Sequence, residues 1–549
     1  MNDHLFLIAI GGTGMRCLES FVHLCAAGLF DNETIDILTL DTDQTNGNKN
    51  RVESLIGLYN DVKTADPTTP GGVERTDTFF SAKLKLYRFF TDYSKDNRSN
   101  FGAISATPGL NQQQKDDNQD LSDLLFERNT VQQFQLNHGY RAQTHLGSML
   151  MYHGIVEAAR NVKRGGSHVQ EQERELAAFI KELTKNSANA RVFVFGSVFG
   201  GTGASSIPII PLAFSEAMRI SSGGATTLNM SKVLFGSTLL TDYFSFANPT
   251  QQQLAKDKVV ADSNVFALNS QAAMKFYDGD VTTRNTYKRM YHIGVPAALK
   301  TAYNNNGMVA TGGSEQCNPC HFAELMCACA AFDFFNSDRQ QLAAIKNAQY
   351  LYRNVEVDAN GVLNLTGGSF VGMQNEPLFE KKLGALLCFA HIVLSKFQGA
   401  FTNLSGVSNM LDYFDKAKFT SYSFLSDTEC ETIDKYLREF GYFIGPNGFY
   451  LGWIYQLNAS VGNGRFIFSP EAFRTTNMED IDPGILQRDS SHFWDTKGNI
   501  FASNADRHWN YFVEVVKNPD MLPTANQGTE PKEQLLAHMY NAINTANNF

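Results

Sequence analysis

Two short glycine clusters are the residues best placed to do chemistry. Gly11-Gly12-Thr13-Gly14 follows the apolar run Leu5–Ile10, and Gly200-Gly201-Thr202-Gly203 follows Val192–Phe195. Backbone N–H groups freed at a glycine turn and at a helix start point outward together. The concavity they make favours an anion, most often a phosphate. Glycine lets the backbone approach such a ligand closely, and Thr202 can add a hydroxyl. Beside them the run Ile35–Leu40 ends in Asp41-Thr42-Asp43, acids that either meet a ribose or cap their own strand end.

The elements that must position these residues follow from hydrophobic spacing. Leu5–Ile10 is a continuous apolar run of strand length, as in a parallel strand buried on both faces. Met15, Leu18, Val22, Cys25 and Leu29 then recur at helical spacing, with Gly28 near the stop. Strand, glycine turn, helix, strand and acid make a mononucleotide-binding βαβ unit. Residues 44–137 read as an insertion of turn-rich, polar segments, with Phe79–Phe90 packing as a helix inside it. Helices are expected from about Met149 and over Gln170–Leu183. Further strands are expected at Val233–Leu240 and Arg289–Val295, with a mostly helical Gln251–Tyr277 between them. Pro319–Phe335 predicts a strongly apolar helix starting at Asn318. After it come a hairpin turning at Asn360-Gly361, a long helix over Glu376–Phe397, strands at Phe443–Asn458 and Arg465–Phe468, and a terminal helix over Gln534–Thr545.

Composition narrows the function classes. A chain of 549 residues with 43% hydrophobic residues and 42 Phe has ample material for a large core. Lys+Arg 46 against Asp+Glu 56 gives a net charge of −10, which argues against a general nucleic-acid binder. A phosphate site made of backbone amides needs no net positive charge. The N-terminal segment MNDHLFLIAIGG has no basic region and too short an apolar run for a signal peptide, so the cytoplasm is expected. Leu383–Leu394 is too short to span a bilayer and predicts a buried helix. Eight Cys then read as reduced thiols. Cys317-x-x-Cys320 with His321, Cys327 and Cys329 invites a zinc reading, but no second CxxC exists, and buried apolar thiols are the expectation.

Cys17 stands where a dinucleotide fingerprint places its third glycine. A second glycine loop after a later strand is a different design, and it resembles that of the tubulin/FtsZ superfamily, most closely its divergent bacterial members. GGTG at Gly200–Gly203 is similar to the core of the family's GGGTGSG-like phosphate loop, with Phe199 and Ser205 at the flanking glycine positions. Gly11–Gly14 looks like the family's first phosphate loop. LTLDTD (Leu38–Asp43) is similar to a strand-end motif finishing Asn-Thr-Asp, and TDYFSFANP (Thr241–Pro249) to the loop near the ribose. RAQTHLGS falls where the family's γ-phosphate loop lies.

The resemblance implies an α/β, Rossmann-type nucleotide-binding domain over 1–316, a central helix over 317–340, and a second α+β domain over 341–549. It implies GTP/GDP as ligand, Mg²⁺ as cofactor, and GTP hydrolysis coupled to head-to-tail self-assembly into filaments. Asn318 would read the base. The family's catalytic loop, G-x-x-N-x-D-x-x-D/E, comes from the next subunit. Gly372–Glu380 offers Asn375 and Glu380, with Pro377 at the first acid's place, and a rival placement at Asn318–Glu324 makes Glu324 the acid. Two other classes stay open: a nucleotide-dependent switch or scaffold that neither polymerises nor hydrolyses, and a dinucleotide-dependent oxidoreductase.

Overall fold

The computed structural model describes residues 3–63, 75–91, 111–128, 144–224, 232–248, 261–297, 320–354, 374–396, 428–444, 512–528 and 530–546, with short pieces between them. At its centre is a seven-stranded sheet in the order β3-β2-β1-β4-β5-β7-β9, with every pairing parallel. The strands are β1 (His4–Ile10), β2 (Thr34–Asp41), β3 (Lys83–Phe90), β4 (Ala190–Phe195), β5 (Leu234–Leu240), β7 (Tyr287–Gly294) and β9 (Gln349–Asn354). Two short strands, β6 (Phe244–Ser245) and β8 (Thr301–Ala302), pair with each other apart from this sheet.

Helices cover both faces, which is why β1 reads as an unbroken apolar run. Leu5, Leu7 and Ala9 enter one core and Phe6, Ile8 and Ile10 the other. The first core lies under α1 (Gly11–Ala26), α2 (Gly47–Lys63) and α10 (Phe322–Asn336). The second lies under α4 (Thr144–Arg164), α5 (Glu171–Lys185) and α7 (Ile210–Ser221). Of the other helices before α10, α3 (Gln112–Leu125) is mostly exposed and starts on an Asn111 capping box. The short α6 (Gly201–Ser206) precedes α7, and α8 (Phe266–Gly279) and α9 (Val281–Thr286) lead into β7. The α/β class and the doubly wound parallel sheet are as the sequence predicts.

Several expectations are corrected. Phe79–Phe90 is not a helix: Lys83–Phe90 is β3, paired with β2 along its whole length. The 44–137 segment therefore contributes α2 and an edge strand to the main sheet rather than standing apart as an insertion. The central helix starts after His321, not at Asn318. Its cap is a capping box in which His321 Nδ1 accepts from the Ala323 amide at 3.1 Å and Glu324 from the His321 amide at 2.9 Å.

The described part of 341–549 extends the same fold. It adds α11 (Arg339–Ala344), β9 on the main sheet, α12 (Gly367–Val371), α13 (Glu376–Lys396), α14 (Thr428–Ile444) and α15 (Pro531–Ala546). The long helices α13, α14 and α15 join the same core as α1, through contacts such as Phe79 stacked on Phe389 at 4.7 Å. The hairpin at Asn360-Gly361 and nearly all of the strands at 443–458 and 465–468 lie outside the described residues. Leu383, Leu386, Phe389 and Ile392 are buried, so the Leu383–Leu394 run is a core helix. Among the described residues no helix is long and apolar enough to cross a membrane.

Candidate functional site

Strand order reverses between β1 and β4, and both glycine turns leave the sheet there. In open α/β sheets the crevice beyond the carboxyl ends of such strands is where ligands bind. Gly11 opens α1 with φ +64°, a left-handed conformation that an L side chain rarely adopts, and a Cβ there would stand 3.1 Å from Thr202 Cβ. The two turns are thus in contact. Gly14 and Gly203 are close approaches: a Cβ would lie 2.7 Å from the Phe195 carbonyl oxygen and 2.7 Å from that of Ser197, respectively. Neither α1 nor α6 has a side-chain N-cap, which leaves first-turn N–H groups directed at the crevice. Thr13 and Thr202 are half-buried at its edge.

Phe199 and Ser205, which flank the second glycine turn, both have structural partners. Phe199 is buried and packs on Tyr243, Phe244 and Phe266, the last at 4.8 Å between centroids. It anchors the turn to the Thr241–Pro249 loop. The Ser205 hydroxyl donates to the Thr202 carbonyl at 3.0 Å, tying off the turn. From α4, the Ser148 hydroxyl donates to the Ser205 carbonyl at 2.9 Å. Thr144–Ser148, the end of the RAQTHLGS stretch, is therefore brought to the second glycine turn, whereas Arg141–Gln143 lie outside the described residues.

Asp41 and Asp43 end β2 beside the first turn. Both are buried. One Asp41 oxygen accepts from the amides of Thr42 and Asp43 at 2.7 and 3.3 Å, and the other has no partner among the described residues. Burial, opposed by the Thr42 amide and reinforced by the Asp43 charge, pushes the Asp41 carboxyl up to about 7. Asp43 is committed to loop structure: it accepts from Thr45 and, at 2.6 Å, from the Gly313 amide. Asn46 donates to Gln316 at 2.9 Å, and both amides stand against Gly12. Asn318 lies outside the described residues.

Below the turns is a buried ionic knot that sequence reasoning missed. Arg16 pairs with Glu19 and, at 3.6 Å, with Glu324, while Arg51 pairs with Glu19 at 2.8 Å. The Tyr243 hydroxyl donates to Glu324 at 2.8 Å. Burial raises the Glu324 carboxyl, and Arg16, the His321 amide and Tyr243 oppose that rise. Arg16 and Glu19, three apart on the polar face of a buried helix, were the available signal, but their partner Glu324 lies some 300 residues away.

The opposite edge of the sheet carries the other predicted residues. α10 runs from the glycine-turn edge to this one, where Arg191 at the start of β4 donates to the carbonyls of Phe334, Phe335 and Ser337 at 2.9, 3.0 and 2.6 Å. These bonds satisfy helix-end carbonyls that would otherwise be orphaned. Exposed Asn336 and Asp338 follow at once, with Asp338 capping α11 through the Gln341 amide at 2.8 Å. α13 begins at the same edge, since Lys382 pairs with Asp31, just before β2, at 3.1 Å. Asn375 donates to the Val371 carbonyl at 3.2 Å, and Glu380 sits in the first turns of α13. Glu324 is at the glycine-turn edge and wholly buried. Cys320, Cys327 and Cys329 are buried free thiols.

No family model matches the chain, and no curated protein or solved structure matches it either.

Proposed function

We propose that this chain binds a guanine nucleotide across its two glycine turns and hydrolyses it when copies stack head to tail. One observation carries the reading: the two turns touch, Gly11 against Thr202, at the point where strand order reverses. The tubulin/FtsZ-like lettering of both turns and of the β2 end adds to it. Phosphoryl transfer is mostly positioning and charge stabilisation, which backbone amides can supply. Mg²⁺, held near Asp41, would supply positive charge to offset the phosphates. The unpartnered oxygen of Asp41 fits a ribose hydroxyl or a magnesium-bound water.

A head-to-tail contact is heterologous and makes filaments when its rotation does not close. It would set the opposite edge of one copy against the nucleotide of the next. Acids at that edge are the catalytic candidates: Glu380 on α13, and Asp338 with Asn336 at the end of α10, an Asn-x-Asp spelling that sequence reading passed over. Glu324, at the nucleotide's own edge, has a structural role.

Pelleting and light scattering with GTP, GDP and a non-hydrolysable analogue test assembly. Thr202→Val keeps the contact with Gly11 and loses only a hydroxyl, and about five- to tenfold weaker nucleotide binding is expected. Gly203→Ala forces a Cβ onto the Ser197 backbone, and binding should be lost while circular dichroism shows the fold intact. Glu380→Ala and Asp338→Asn should leave binding unchanged, and one of them should abolish phosphate release. Unchanged binding in Gly203→Ala would sink the site. Full turnover in both acid variants would sink the stacking mechanism.

A further inference from the structure

On the sheet face away from α1 and α10, α4, α5 and α7 meet around a cavity of about 330 Å³. Its walls include Ile155, Leu176, Ile180 and Met218. Ala159, Ala177 and Ala217 line it from α4, α5 and α7, and their small side chains leave the space unfilled. Ligand pockets begin at roughly this volume, about 300 Å³. The lining is apolar apart from exposed Lys181 and the hydroxyls of Ser221 and Ser222.

Lys181 has no acidic partner among the described residues, and no carboxylate lines the cavity. Lys163 adds a second ammonium at the turn after α7, with Nζ 3.7 Å from where a Gly223 Cβ would be. An apolar slot bordered by ammonium and hydroxyl groups is complementary to an alkyl chain with an anionic head.

We propose that this cavity binds a medium-chain monoanionic amphiphile, such as a fatty carboxylate of about eight to ten carbons. The chain lies between α4, α5 and α7, and the carboxylate meets Lys181. Occupancy is independent of the glycine turns and of any nucleotide.

Decanoate titrated into the full-length protein below its micellar concentration tests this by calorimetry. Saturable 1:1 binding is expected. Lys181→Glu, and 1-decanol in place of decanoate, should each weaken it about tenfold, the loss of one charge-assisted contact. Ala217→Leu fills the cavity and should abolish binding. Ser221→Trp blocks its exposed mouth without touching the core and should do the same if Ala217→Leu fails to fold. Absence of saturable binding to the wild-type chain, or binding that survives both Ser221→Trp and Lys181→Glu, overturns the site. Equal affinity for decanol and decanoate overturns the anionic class of its ligand.

Discussion

Glu324→Ala is expected to destabilise the fold by about 3–5 kcal/mol, because it strands a buried guanidinium. Arg16 is 1% exposed and shares its charge between Glu19 and Glu324, while Glu19 also serves Arg51. Alanine also removes the acceptor for the Tyr243 hydroxyl and half of the capping box at the start of α10. Glu324→Gln keeps one oxygen to accept from the His321 amide and can donate its NH2 to the Tyr243 hydroxyl, so it loses the charge and one acceptor and its cost should be clearly smaller. Changing Arg16 to Met alongside Glu324→Leu should recover most of the loss, since an apolar replacement of a whole buried pair is often neutral or better. Urea denaturation of the parent, Arg16→Met, Glu324→Leu and the double variant gives the coupling energy directly. A loss below about 1 kcal/mol for Glu324→Ala would refute the structural role. Normal stability with abolished turnover would restore Glu324 as the catalytic acid.

Asp41→Asn is expected to change the pH dependence of stability more than any other single substitution at the site. The native carboxyl holds its proton up to about pH 7 because burial outweighs the Thr42 amide and Lys49. In the unfolded chain it releases that proton near pH 4. Between these values the native state binds more protons, so stability falls as pH rises through the window, by roughly 4 kcal/mol at most. The asparagine oxygen can still accept from the Thr42 and Asp43 amides but does not titrate. The variant should therefore match the parent near pH 4 and exceed it above pH 7. Melting temperatures from pH 4.5 to 8 measure this, and parallel curves would sink it. A bound group donating to the free Asp41 oxygen favours the ionised form. Nucleotide should therefore reduce the difference between the two proteins at neutral pH.

The parts of the fold that were legible in the sequence are those where local pattern and burial agree. Leu5–Ile10 of β1 and Val192–Phe195 of β4 are unbroken apolar runs followed by glycine, and both glycine turns follow from that. β3 was misread because the alternation of Lys83, Leu84, Lys85 and Leu86 is brief and its aromatic flanks fit a helical period as well. The strand period won because β2 offers a free edge beside it, which no local window reveals. The start of α10 was misplaced because Asn-Pro is a familiar helix opening, whereas here a histidine takes the capping position. The site itself was half legible. Its glycines and acids announce themselves by type and spacing. The contacts of Arg16 with Glu324 and of Asn46 with Gln316 join residues that only the folded chain makes neighbours.

The all-parallel sheet has a consequence for how the chain comes off the ribosome. β1 pairs with β4, so His4 meets Ala190 only after most of the first two hundred residues exist. At the far end, the Lys532 ammonium on α15 reaches the Asp61 carbonyl across 471 positions. Loop closure must precede these contacts, so folding is slow and the apolar β1 waits unpaired in the nascent chain. Such a strand is an aggregation hazard while it waits, and a protein built this way depends on being held until its last helix arrives.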